Sequence, residues 1–180
     1  MSMVTYLLIA YNLIRFCLLK ICHVSSNFSF IQRISPFCRF RIYQQGRVIL
    51  GYNTQIENGS DLQVHGDGIL QIGSRCYMNR YCMVSVQESV SIGENCMFGP
   101  GVKIFDNNHC FSAQNGVSGQ LKTAPIHIGR NCWLASDVIV LKGSVIGDNC
   151  VIGAGCIISG NIPKGSLVKQ DRKLQITKIR

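Results

Sequence analysis

The stretch FDNNHCF, residues 105 to 111, places a carboxylate, an imidazole and a thiol close together at Asp106, His109 and Cys110. An unperturbed imidazole titrates at about 6.5, so near neutral pH it can accept the proton of an alcohol that is too weak a nucleophile by itself. His109 is therefore the candidate general base. Asp106 has two readings, a carboxylate that orients the ring or a solvated loop acid. If the acceptor hydroxyl attacks directly, no covalent enzyme intermediate is needed and Cys110 has no task. The remaining histidines, His23, His65 and His127, are scattered, and no CxxC pair occurs, so no metal site is expected.

His109 lies in an interruption of a regular pattern. Ile128, Leu134, Val140, Ile146, Ile152 and Ile158 fall in unbroken steps of six, and Ile72, Met78 and Val84 share that phase. Two extra residues intervene near Gln87 to Ser91, after which Ile92, Phe98 and Ile104 resume it. Four places beyond these anchors stand small or modest side chains, among them Cys76, Cys96, Val138, Ser144 and Cys156, and glycine often follows an anchor directly. A period of six suits neither a helix nor an alternating strand. It suits short strands joined by tight corners into coils, with successive coils roughly 4.8 Å apart. The expected fold is an all-β, parallel β-helix whose interior is filled by the anchors. Glycine after the anchor is expected to supply the corner conformation. Between Ile104 and Pro125 the anchors lapse, and FDNNHCFSAQNGVSGQLKTA reads as a protruding loop over 105–125, the kind of excursion that carries function.

Six of the ten cysteines occupy the slot four places after an anchor, where a buried, reduced cysteine serves as a small apolar residue. A disulfide framework is disfavoured in a chain of this length with no cleavable signal pattern, and a cytosolic, reducing location is expected.

The repeat resembles that of the left-handed β-helix, or hexapeptide-repeat, acyltransferases. PIHIGRNCWLASDVIVLKGSVIGDNCVIGAGCIISGNIPKG, residues 125–165, is similar to the segment shared by galactoside, maltose and polysaccharide O-acetyltransferases. The likeness covers residues 46–168. It implies a triangular prism, a homotrimer, acetyl-coenzyme A in the groove between adjacent subunits, and a histidine base at His109. It also implies backbone contacts to the pantetheine arm at Ser136 and Ala154. Where relatives read WIG this chain reads Trp133-Leu134-Ala135, and where they read TKD it reads Ser159-Gly160-Asn161, so a basic cofactor contact is missing at Gly160. Trp133 faces outward, toward a neighbouring subunit or a ligand groove. Ser159 stands at the altered cofactor segment, and Lys164, Lys169, Arg172 and Lys173 are candidate partners for the coenzyme A phosphates. The three metal-binding histidines of the carbonic anhydrases that share this architecture have no counterpart in spacing.

Residues 1–50 contain no acidic side chain but carry Arg15, Lys20, Arg33, Arg39, Arg41 and Arg47. Together with the basic tail, 169–180, they account for the formal charge of +9. Residues 1–45 read as an apolar, basic helical segment. MVTYLLIAYNLI is short of the roughly twenty residues that span a bilayer. Thr5, Asn12, Arg15, Lys20 and His23 gather on one side of the wheel, with Leu8, Phe16 and Leu19 interrupting the arc. A helix that caps the open prism fits, as does an interfacial helix with its cations on anionic headgroups. Nucleic acid is a poor partner, for want of a motif.

The resemblance, joined to the basic, apolar N-terminus, implies an acetyl-coenzyme A-dependent O-acetyltransferase. Its expected acceptor is a sugar hydroxyl of a bacterial polysaccharide or its precursor (capsule, O-antigen or exopolysaccharide), and its expected place is the cytoplasm, with the inner face of the plasma membrane as a site of association. The alternatives are a soluble acetyltransferase for an antibiotic or serine, and a non-catalytic β-helix scaffold.

Overall fold

The structure, a computed structural model, describes residues 3–171. A single helix, α1 (Met3–Cys22), precedes a left-handed parallel β-helix with three flat walls. The first wall stacks seven strands, from Asn27–Phe28 to Asn161–Ile162. The second also stacks seven, from Gln32–Ile34 to Leu167–Val168, and the third stacks six, from Arg39–Ile42 to Ile157–Ile158. Register is set anchor on anchor. On the first wall Phe28 lies beside Leu50, Leu50 beside Ile72, Ile72 beside Ile92, Ile92 beside Ile128, and Ile128 beside Ile146. A one-residue slip would turn this whole column outward, which is why the spacing is strict. The anchors form one continuous buried core.

Coils begin at Asn27, not at residue 46 as the repeat suggested. Phe28, Ile34 and Phe40 already step by six, but four additional residues between Phe40 and Leu50 widen the corner and break the phase. The same widening recurs between Leu62 and Ile72. In these coils the third-wall strands are longer and place two residues inside, such as Leu62 and Val64.

The corner glycines act differently from expectation. Gly93 and Gly129 do not adopt positive φ; Asn95 and Asn131, two positions on, do, at 57° and 55°. Asparagine tolerates that region through its short polar side chain. A Cβ on Gly93 would lie 2.6 Å from the backbone nitrogen of Arg130 in the next coil. Glycine is required because coils touch there. Asn95, Asn131 and Asn149 then stack, Nδ2 of each donating to Oδ1 of the next at 3.1 and 3.0 Å.

The cysteine slot forms a column inside the same corner. The thiols of Cys76, Cys96 and Cys132 donate to the carbonyls of Gly93, Gly129 and Gly147 in the following coil at 3.1, 3.0 and 3.2 Å. Cysteine here is a small filler that can also make a weak hydrogen bond. Every described cysteine is a free thiol.

Helix α1 crosses the first coil and closes the prism. Phe16 stacks on Phe28 at 4.8 Å and meets Phe40 edge-on at 5.6 Å, touching anchors of the first and third walls. Asn12 Nδ2 donates to the Ile34 carbonyl at 2.9 Å, and Arg15 reaches the carbonyls of Ser35 and Cys38. An unpaired first coil would otherwise present a bare edge. The arc of Thr5, Asn12, Arg15 and His23, with its apolar interruptions, is thus the inward face. Arg15, expected among the cations facing headgroups, instead points inward to the carbonyls of Ser35 and Cys38, whereas Lys20 stays exposed with its Nζ donating to the carbonyls of Val24 and Ser26.

Candidate active site

The interruption after Ile104 is an antiparallel hairpin, Asn107–Ser112 paired with Gly116–Thr123, rather than an irregular loop. Asn115-Gly116 at its turn is the sequence signal for it, with Gly116 at φ 65°. The hairpin leaves the third wall after Phe105 and returns to the first wall at Ile126, so it projects from the edge between them. The register shifts between His109 and Phe111, where Ser118, Gly119 and Gln120 oppose the single Cys110, so the bulge lies in the Gly116–Thr123 strand, and such bulges re-aim neighbouring side chains.

His109 is exposed, and its Nδ1 lies 3.2 Å from the Ser118 carbonyl oxygen on the facing strand. A carbonyl can only accept, so Nδ1 carries the proton and Nε2 keeps its lone pair. That is the tautomer a base requires. Asp106 does not contact the ring. It is fully buried and accepts from the backbone N–H groups of Gln87, Glu88 and Ser89 at 2.8 to 2.9 Å, and from Asn107 Nδ2. Its carboxylate satisfies the corner made by the two extra residues near Gln87 to Ser91. The ring-orienting and solvated readings of Asp106 are both replaced by this one: it anchors the base of the hairpin, where the Ala124 N–H also bonds its carbonyl.

A second feature occupies the second wall and its junction with the third. Tyr77, Met97 and Trp133 are in register on successive coils, each just before an anchor and facing outward. With Asn79, Ser136 and Ala154 they line a groove of about 270 Å³. Trp133 is 51% exposed and Met97 53%. Three expected cofactor residues, Trp133, Ser136 and Ala154, are therefore brought together. Tyr77, Asn79 and Met97 were missed, although Tyr77 and Met97 share Trp133's place in the repeat.

Ser159 and Lys164 lie away from this groove, both exposed on the last coils. Lys164 sits at the first corner, where the Arg130 N–H, then the Arg130 and Lys164 charges, hold the Asp148 carboxyl below its ordinary value. Lys169 is exposed, and Arg172 and Lys173 lie outside the described residues. His65 stacks on Tyr43 at 4.7 Å, and His127 Nδ1 is 2.8 Å from Ser91 Oγ. No group of three or more potential metal ligands occurs among the described residues.

The hairpin and the groove stand on different edges of one prism.

The bacterial transferase hexapeptide (six repeats) family model matches residues 125–160. A putative lipopolysaccharide biosynthesis O-acetyltransferase of Escherichia coli K12, WbbJ, is 29% identical over 141 residues, 72% of each chain. The galactoside O-acetyltransferase of the same strain is 35% identical over 94 residues, 52% of this chain and 46% of that enzyme, so the match spans about half its length. Among solved structures, a mutant of AntD, an N-acyltransferase from Bacillus cereus in complex with dTDP and coenzyme A, aligns with a TM-score of 0.70 at 18% identity. That alignment covers 85% of this chain and 83% of AntD, and at such identity it speaks for the fold alone. With its six-residue phase and its stacked coils, the chain has the left-handed β-helix fold, carries the bacterial transferase hexapeptide repeat over residues 125–160, and is similar to O-acetyltransferases of that repeat type.

Proposed function

We propose that the protein transfers an acetyl group from acetyl-coenzyme A to a hydroxyl of a sugar acceptor in a polysaccharide or its precursor, at the junction of two subunits of a homotrimer. The observation that carries this reading is the His109 hairpin, whose Ser118 carbonyl leaves Nε2 free to accept a proton. The relatives that are O-acetyltransferases of lipopolysaccharide biosynthesis and of galactosides support the acceptor class. Because the hairpin and the groove occupy different edges, a closed ring of copies lets the hairpin of one reach the groove of the next.

The groove fits the slender arm of coenzyme A. Small residues at its corner, Gly99, Ala135, Ser136 and Ala154, keep it open, and the Tyr77, Met97 and Trp133 side chains offer an apolar wall. The N–H groups of Ser136 and Ala154 donate to no backbone carbonyl among the described residues, so they are free to receive amide carbonyls of the arm. Bound there, acetyl-coenzyme A supplies an activated acyl group. His109 Nε2 takes the acceptor hydroxyl proton as the oxygen adds to the thioester carbonyl. The tetrahedral intermediate collapses by breaking the C–S bond, and the imidazolium returns its proton to the departing thiolate. Backbone N–H groups at the junction stabilise the oxyanion.

The test is acetyl transfer to oligosaccharide acceptors by wild type and His109→Ala, read as coenzyme A thiol released. An undiminished rate in the variant overturns the base assignment.

A further inference from the structure

Helix α1 is built inside out for a soluble cap. Its polar side chains, Asn12 and Arg15, are spent on the carbonyls of the first coil. Its outer face carries Val4, Leu7, Ile14, Leu18 and Ile21, exposed by 59 to 74%, and Phe30 of the first coil continues the patch at 85%. So large a continuous apolar surface marks a contact site.

Charge and shape identify what covers it. Two apolar grooves flank the helix where it meets the first coil, about 340 Å³ on the side of Leu13, Ile21 and Phe30 and about 450 Å³ on the side of Val4, Leu7 and Pro36. Each has a cation among its lining residues, Lys20 in the first, its Nζ bonded to the carbonyls of Val24 and Ser26, and Arg33 in the second, which Glu57 also lines. Arg39 is exposed nearby, and residues 1–50 hold no acid. Among the described residues, only Arg41 of this segment has an ion pair, to Asp61. With Arg33 and Arg39 set against the single acid Glu57, the excess of cations at this end disfavours a second copy of itself and complements an anionic surface. We infer that the capped end of the prism docks into the headgroup region of a bilayer containing anionic lipid, with α1 lying in the plane of the interface. Apolar burial and attraction to anionic headgroups are the two contributions such helices use.

The helix is long and apolar enough by composition to cross a membrane. Crossing would strip Asn12 and Arg15 from their carbonyls and strand both in hydrocarbon, so lying flat retains what spanning would lose. This inference stands on α1 and the first coil and does not rest on the reading of the hairpin and groove.

Flotation of the full chain with phosphatidylglycerol/phosphatidylcholine vesicles tests it, beside pure phosphatidylcholine vesicles. Wild type is expected to float with the anionic vesicles and to bind at least tenfold more weakly to the neutral ones. Ile14→Asp/Leu18→Asp is expected to lower binding at least tenfold, and Arg33→Gln/Arg39→Gln to abolish the preference for anionic lipid. Circular dichroism and melting of the first variant verify that the fold persists, since both side chains are exposed. Bound wild type is expected to be released by alkaline carbonate. The inference is overturned if wild type stays with the soluble fraction, if Ile14→Asp/Leu18→Asp floats undiminished, or if carbonate fails to release the protein, which would mean a spanning helix. A change of oligomeric state in the variant without any vesicle binding by wild type would assign the face to a second copy instead.

Discussion

Nδ1 of His109 faces the carbonyl oxygen of Ser118 across the hairpin at 3.2 Å, and this contact fixes which nitrogen is basic. His109→Ala is expected to lower kcat by about 10²- to 10⁴-fold, the usual worth of a positioned general base. Steady-state kinetics with a sugar acceptor check this, and melting should be nearly unchanged because the side chain is exposed.

Asp106 acts on the scaffold, and its variant should look different. Asp106→Ala leaves the N–H groups of Gln87, Glu88 and Ser89 without their buried acceptor. At about 1–3 kcal/mol for each orphaned group, a loss of roughly 3 kcal/mol or more is expected. Denaturant unfolding measures it, and amide exchange should accelerate first at residues 87–89.

Gly93→Ala would set a Cβ 2.6 Å from the Arg130 nitrogen. Overpacking of that kind typically costs about 1–3 kcal/mol. Gly119→Ala, in the hairpin with no atom within 4 Å of the added Cβ, should be silent. Comparing the two unfolding midpoints decides whether coil contact is the constraint.

Burial pushes the thiols of Cys38 and Cys82 up to about 12 and about 11, from an ordinary 9.0. A raised folded-state value means the folded protein keeps its protons longer than the unfolded chain does. The associated stability is complete below about pH 9 and is lost as pH rises from there through about 11 to 12. Melting temperatures should therefore fall with increasing slope above about pH 9, and Cys82→Val should flatten part of that fall.

Trp133 is the only tryptophan in the chain and lines the groove. Coenzyme A titrated into the protein should change its fluorescence. Met97→Asp, which puts a charge against the apolar wall, should raise KM for acetyl-coenzyme A about tenfold with little change in melting. Unaltered fluorescence at saturating coenzyme A would move the cofactor elsewhere.

The anchors from Ile128 to Ile158 disclosed the fold because those coils contain no extra residues, and His109 stood out where the phase stopped. The first coil was hidden, since four more residues between Phe40 and Leu50 displace the phase. Asp106 could not be interpreted from its neighbours in sequence, because its partners at Gln87 to Ser89 are adjacent only across one coil. Trp133 was recognisable as outward-facing, but its column with Tyr77 and Met97 emerges only when coils are superposed. The helix held the opposite lesson: its polar arc was visible, and which side faced the protein depended on carbonyls that only the folded first coil offers.

Because every coil leans only on the one before and the one after, the molecule behaves as a stack whose two ends are unequal. Asn12, Arg15 and Phe16 bolt down the Phe28 end, whereas Ile162 and Val168 are only partly buried at the other. Among the described coils, the one carrying Ile162 and Val168 is therefore expected to loosen before the one under the helix, an order that amide exchange would read.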